Sequence, residues 1–275
     1  MKKLMLTYFL LCLVSVKLCA QKIEVKSTKF DSVKFSLIRK ELNSLNTEDF
    51  TKKVFEANGT KLPYRLLAPK NQKSGTKYPL IIALHNSSRL GTNNESQLEP
   101  LTRTWLREQM RDQFPAFVLA PQFETRPTIY AEHDKLKILT ATPQANLQIL
   151  LRLIDSFKEN PSVDTKRIYL IGYSMGGSTA QHLMSAKPDW FAAMIAVAGV
   201  PDISNLQNIK HKPIWLIHGR KDDENPFNGS KKLFEQLKEN KKARFTIYES
   251  LDHNNITLPL LATDELAKWL FRWKI

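Results

Sequence analysis

The chain has 275 residues, 42% of them hydrophobic, and a formal net charge of +14. That length supports one sizeable core, while the basic excess admits nucleic acid, anionic polysaccharide or a membrane surface as partners. The lysines are nevertheless scattered, with only short pairs such as Lys231-Lys232 and Lys241-Lys242. No basic segment interleaved with aromatics occurs, so the charge reads as solvated faces and no nucleic-acid partner is expected.

Residues 1–20 carry the pattern of an export signal. Lys2 and Lys3 form the charged start, Leu4 to Val16 the apolar stretch, and Leu18-Cys19-Ala20 a small-residue cleavage site before Gln21. The stretch is short for a membrane span and Lys17 interrupts it, so no stable anchor is expected. Val16, Lys17 and Leu18, rather than small residues, precede Cys19, which argues against lipidation. Cleavage after Ala20 would leave a secreted or periplasmic protein. Both cysteines, Cys12 and Cys19, would be lost with the signal. The remaining chain then has no disulfide, no cysteine nucleophile and no thiolate metal site.

Residues 21–50 are polar and lysine-rich, and read as a surface lead-in to a domain covering 51–275. Val54 to Ala57, Asn58-Gly59 and Leu62 to Leu67 predict a hairpin with an Asn-Gly turn. Pro79 to Leu84 is an unbroken apolar run, the mark of a strand buried on both faces, and it empties into a polar loop from His85 to Glu95. A helix is predicted around Leu101 to Arg111, then a strand from Ala116 to Ala120. Residues 122–144 read as a long Pro- and Thr-containing loop carrying Tyr130 and His133. Leu147, Leu150, Leu151 and Ile154 mark one face of a helix reaching Asn160. Further strands are predicted at 168–171, 192–198, 214–217 and 244–248, with helices at 230–239 and 264–274. This alternation predicts a mostly parallel sheet of about eight strands, covered by helices on both faces. Ligands in such sheets bind at the carboxyl ends of the strands.

Residues 167–177, RIYLIGYSMGG, carry the chemistry. A buried-strand run precedes Gly172-Tyr173-Ser174-Met175-Gly176, a G-x-S-x-G pattern, and STAQHLMSAK follows as a helix stopped by Pro188. Strand, sharp turn and helix in that order expose a serine hydroxyl above the sheet edge, so Ser174 is read as a nucleophile. It needs a base, and six histidines are present. His253, after the last strand, is preferred from the chain order of such sites, with His133 in reserve. His182 reads as a packed residue, His211 as solvent-exposed and His218 as a positioning group. The base in turn needs a carboxylate, and the loop His218 to Pro226 supplies Asp222, Asp223 and Glu224.

The ordered set LPYRLLAP, YPLIIALHNSSRLGTNN, RIYLIGYSMGG, PIWLIHGRKDDENP and YESLDHN resembles the α/β-hydrolase superfamily. Within it the chain is similar to secreted feruloyl and acetylxylan esterases, polyhydroxybutyrate-depolymerase-like esterases and "predicted peptidases", over about residues 53–275. The resemblance implies an H-G-x-x-D-x-x-x-P loop whose acid is Asp222, with Asp223 beside it. It implies an oxyanion hole from the amides of Met175 and Ser87, with Asn86 next. Relatives carry glycine where this chain has Asn86, a residue that tolerates left-handed backbone. His85, Tyr130 and Tyr173 are candidate substrate contacts.

The function implied is a carboxylic ester hydrolase acting by a Ser174–His253–Asp222 acyl-enzyme route on a small-molecule or polysaccharide ester, acetyl or feruloyl. No cofactor and no metal are expected. A prolyl-oligopeptidase-like peptidase is an alternative, although the lead-in leaves no room for a peptide-selecting propeller. A non-catalytic binding protein on a hydrolase shell is another, for which Asn86 is the one supporting feature.

Overall fold

The computed structural model describes residues 21–27 and 31–275, and the export signal read in residues 1–20 lies outside them. Lys22–Lys26 (β1) has mostly exposed side chains, as an edge strand does. Ser32–Ser44 (α1) follows, its N terminus capped by the Asp31 carboxylate, which accepts from the Lys34 amide at 2.9 Å. Within the stretch expected as a lead-in, β1 joins the sheet and α1 packs in its covering layer. Their polarity concealed this, because an edge strand and a surface helix need bury only one stripe.

Phe50–Ala57 (β2) and Thr60–Leu67 (β3) form the expected hairpin. Asn58 and Gly59 have φ of +52° and +74°, the left-handed pair that a two-residue I′ turn requires. All seven residues of Tyr78–Leu84 (β4) are buried. The helix expected over 101–111 is broken into Pro100–Arg103 (α2), a 3₁₀ turn at Thr104–Leu106, and Glu108–Gln113 (α3). Phe117–Pro121 (β5) follows.

The stretch 122–144 is not a long loop. It holds Thr128–His133 (β6) and Ile138–Pro143 (β7), an antiparallel ribbon separate from the main sheet. The ribbon's apolar residues fall in short runs, Ile129 to Ala131 and Ile138-Leu139, without a sustained alternation, and so carry little strand signal. The ribbon is held instead by its docking, with the Ala141 amide donating to the Pro201 carbonyl at 2.8 Å.

The rest alternates as expected: Leu147–Lys158 (α4), Val163–Tyr173 (β8), Met175–Ala186 (α5), Ala193–Val197 (β9), Leu206–Ile209 (α6), Ile214–Gly219 (β10), Phe227–Gln236 (α7), Ala243–Tyr248 (β11), Leu258–Leu261 (α8) and Glu265–Leu270 (α9). The main sheet has nine strands in the order β1-β11-β10-β9-β8-β4-β5-β3-β2. The pairings from β1 to β5 are parallel, and β3 runs antiparallel to both β5 and β2. The ninth strand, beyond the eight expected, is accounted for by β1.

Successive residues of β8 feed opposite faces. Tyr169 and Ile171 pack into one core with Ile81, Trp215 and Trp269, while Ile168 and Leu170 join Leu80, Leu150 and Phe245 in the other. With both faces buried, the strand ends are the places where polar side chains can converge. No helix among the described residues is long and apolar enough to cross a membrane.

Candidate active site

Strand β8 ends at Tyr173 and α5 begins at Met175, so one residue turns the chain. Ser174 does so with φ +56° and ψ −120°, a conformation that costs a non-glycine residue on the order of 1–3 kcal/mol. The flanking glycines allow the crossing. A methyl group on Gly172 would strike the Gly176 carbonyl, and one on Gly176 would strike the carbonyl of Leu84. The turn therefore sits directly on the end of β4, where the loop from His85 begins.

Strands β8, β10 and β11 run parallel, so the loops that follow them emerge along one edge of the sheet. There His253 Nε2 lies 2.9 Å from Ser174 Oγ, and His253 Nδ1 lies 2.8 Å from Asp222 Oδ2. All three residues are buried. Gly219 keeps the acid and histidine loops in contact, because a side chain there would clash with the Leu251 carbonyl. Tyr173 donates its hydroxyl to the His253 carbonyl at 2.8 Å.

The second carboxylate oxygen, Asp222 Oδ1, accepts from the amides of Asn225 at 2.8 Å and Glu224 at 3.1 Å. Burial pushes the Asp222 carboxyl up, but hydrogen bonds from His218 and His253 more than offset it and hold the group at about 2. It is therefore a carboxylate at neutral pH. Neither of the other acids in the loop is placed in this way. Asp223 is exposed, and the exposed Glu224 carboxylate stands 3.8 Å from His253 Nε2, on the serine side of the ring. His133, the reserve base, belongs to β6 and is bonded within the ribbon by the Leu136 amide at 3.3 Å.

Ser87–Arg89 forms a 3₁₀ turn over the site. Ser87 and Met175 are each the first residue of a helical turn, where the amide has no intrahelical acceptor. Asn86 has φ −76° and ψ 171°, so it makes no use of left-handed freedom. Its side chain caps the turn instead, with Oδ1 accepting from the Ser88 amide at 2.9 Å and the Ser88 hydroxyl at 2.7 Å. Its Nδ2 donates to Glu99 Oε2.

Two of the expected substrate contacts lie elsewhere. His85 is 1% exposed, donating from Nδ1 to the Asn86 carbonyl at 2.7 Å and accepting at Nε2 from the Phe123 amide at 3.1 Å. Burial pushes its pKa down to about 4, so it is a neutral brace for the loop. Tyr130, on the ribbon, shares a hydrogen bond of 3.1 Å with Ser178 and lies under the Arg126 guanidinium. Tyr173 does line the cavity with Ser174 and His253. A second buried pair, His182 Nδ1 to Asp202 Oδ2 at 3.1 Å, ties α5 to the ribbon through Thr128.

The cavity has a volume of about 310 Å³, at the small end for ligand sites. Among the lining residues that escaped sequence reasoning are Arg39 and Asn43 on α1, Arg89, and Glu99. An acid between Leu98 and Pro100-Leu101 was the one available cue.

The dienelactone hydrolase family model matches residues 116–256, from just before β5 to just past His253. The bifunctional acetylxylan esterase/xylanase XynS20E of Neocallimastix patriciarum is 36% identical over 77 residues, which is 28% of this chain and 11% of that protein. Among solved structures, a thermostable esterase superposes with a TM-score of 0.75 at 29% identity, over 83% of this chain and 64% of the other. The acylaminoacyl peptidase of Pyrococcus horikoshii gives 0.57 at 16% identity, over 90% of this chain and 44% of the other. The chain thus spans less than two thirds of each of these three.

Proposed function

The chain belongs to the dienelactone hydrolase family and has the α/β-hydrolase fold, and on that premise we propose that it is an exported serine esterase removing acyl groups, acetyl or feruloyl, from polysaccharide or related small esters. The observation that carries the proposal is the contact of Ser174 Oγ with His253 Nε2 at 2.9 Å, backed by Asp222 at 2.8 Å. The name of the acetylxylan esterase relative supports an acetyl ester. The exported location rests on the pattern of residues 1–20, with residues 21–275 as the mature protein.

Ser174 Oγ attacks the ester carbonyl carbon as its proton passes to His253 Nε2. The carbonyl electron pair moves onto oxygen, where the amides of Met175 and Ser87 receive it. A correctly placed donor of this kind is worth roughly 10²–10³ in turnover. Collapse of the intermediate expels the alcohol, protonated by His253, and leaves an acyl-serine. His253 then takes a proton from water, whose oxygen attacks the acyl carbon, and Ser174 leaves with that proton. Asp222 stays ionised throughout and holds the imidazole by its Nδ1–H.

The likeness to acylaminoacyl peptidase, at 16% identity, is one of fold. The test is hydrolysis of p-nitrophenyl acetate, methyl ferulate, acetylated xylan and a chromogenic peptide amide by residues 21–275 and by the Ser174→Ala variant. Ester turnover lost in the variant is the expected result. Turnover by neither protein, or equal turnover by both, would overturn the proposal, and serine-dependent cleavage of the amide alone would replace it with the peptidase reading.

A further inference from the structure

Two residues lining the cavity beside Ser174 each carry a buried side-chain atom that no protein group satisfies, Oε1 of Glu99 and Nε of Arg89. Glu99 is 5% exposed, and its other oxygen is occupied by Asn86 Nδ2. Buried polar atoms without partners are uncommon in native proteins, and acyl transfer through Ser174, His253 and Asp222 uses neither of these. Both belong to residues lining the cavity that would receive the substrate, so a bound ligand can supply the partner that the protein does not.

The chemistry of the two atoms defines that partner. Arg89 Nε can only donate, whereas a carboxyl oxygen accepts and, when protonated, can donate. A hydroxyl, which both accepts and donates, meets the pair whether the carboxyl is ionised or protonated. The neighbouring lining is also polar, from Arg39 and Asn43 of α1 to Asn86 and Ser88. A sugar ring would supply hydroxyls to each.

We propose that Glu99 and Arg89 form a hydroxyl-binding subsite for the sugar portion of an acylated carbohydrate, whose acyl group is transferred to Ser174. The assignment rests on the esterase reading. Burial pushes the Glu99 carboxyl up to about 8, although Arg89 and Asn86 pull it the other way. At neutral pH it is thus mostly uncharged and suited to a neutral ligand.

The test compares kcat/KM on an acetylated xylo-oligosaccharide with kcat/KM on p-nitrophenyl acetate, which has no hydroxyl, for the wild type, Glu99→Gln and Arg89→Met. The amide oxygen introduced by Glu99→Gln would still accept from Asn86, so the turn above the serine keeps its tie. The expected result is a fall of roughly tenfold to a hundredfold in the sugar-to-aryl ratio in both variants, the size of a lost buried hydrogen bond. Xylobiose should also inhibit wild-type aryl ester turnover competitively and inhibit both variants less. The inhibition of the wild type needs no variant to fold. An unchanged ratio in both variants, an absence of xylobiose inhibition, or a preference for an acetylated uronic acid over the neutral sugar would overturn the subsite. Serine-dependent aryl ester turnover alongside such a result would leave the esterase reading standing, whereas no serine-dependent turnover at all would remove both.

Discussion

His218 and His253 converge on one oxygen atom, Oδ2 of Asp222, at 3.0 and 2.8 Å. His218 is fully buried. Its Nδ1 accepts from the Ser230 hydroxyl at 2.8 Å, while its Nε2–H forks between Asp222 and the Asn225 carbonyl, also at 2.8 Å. The imidazole that cannot reach Ser174 therefore holds the carboxylate for the one that can.

Replacing His218 by Asn should consequently lower kcat by about tenfold to a hundredfold, the range for losing a hydrogen bond to a charged group. The sign of the pH effect follows from the same contact. The His218 bond helps hold Asp222 at about 2, so its loss lets the carboxyl rise toward its ordinary value. The acid limb that reports protonation of Asp222 should move to higher pH. An unmoved limb with reduced kcat would mean that His218 serves only the packing of the loop.

Ser174→Ala and His253→Ala should each reduce ester turnover by at least about 10³-fold while the circular dichroism spectrum stays native. A fully active form of either variant would sink the assignment.

The strained backbone of Ser174 predicts a difference between two inactive variants. Alanine keeps a Cβ at φ +56°, whereas glycine adopts positive φ without that penalty. Ser174→Gly should therefore melt above Ser174→Ala, by an amount corresponding to about 1 kcal/mol. Equal melting temperatures would show that the turn stores no strain.

Gly176→Ala tests the contact between the serine turn and the end of β4. The added methyl has no room beside the Leu84 carbonyl. Unfolding free energy should fall by about 1–3 kcal/mol as the two segments are forced apart. Because the same segments present the Met175 and Ser87 amides, kcat should fall further than the fraction of folded protein, by roughly 10²–10³. Denaturant titration alongside initial rates separates the two effects.

Glu99 ties stability to pH in the opposite sense to Asp222. Its carboxyl is raised from 4.5 to about 8 by burial, against the pull of Arg89 and Asn86. Between those values the folded chain keeps a proton that the unfolded chain has released. Stability is therefore lost as pH rises through this window, by at most about 1.4 kcal/mol per pH unit. Glu99→Gln cannot release that proton, so its stability relative to wild type should increase from acid to alkaline conditions. Parallel stability curves for the two proteins would refute the raised pKa.

The features legible in the sequence were those set by short-range physics. The Asn58-Gly59 turn follows from the backbone freedom of two adjacent residues, and β4, β9 and β10 from apolar runs that only a sheet covered on both faces can hold. The serine turn was legible because its glycines are required within four residues of one another. The G-x-S-x-G turn pointed to Ser174, chain order favoured His253, and the resemblance singled out Asp222 from three loop acids; parallel strands deliver these loops to a common edge. Other features depended on partners distant along the chain. The ribbon β6–β7 is anchored by His182, Asp202 and Pro201 rather than by apolar periodicity, and β1 becomes a strand only against β11, near the other end of the chain. Packing alone decided that Asn86 would cap a turn, that His85 would brace it instead of facing substrate, and that α1 would bring Arg39 and Asn43 to the cavity. Fold class and the order of the chemical groups were thus written into the linear chain, because local sterics and hydrophobic patterning act between near neighbours. Which polar groups lie together in the cavity, and which of them remain unpaired, came only with three-dimensional packing, because burial and hydrogen-bond satisfaction are properties of the whole folded chain.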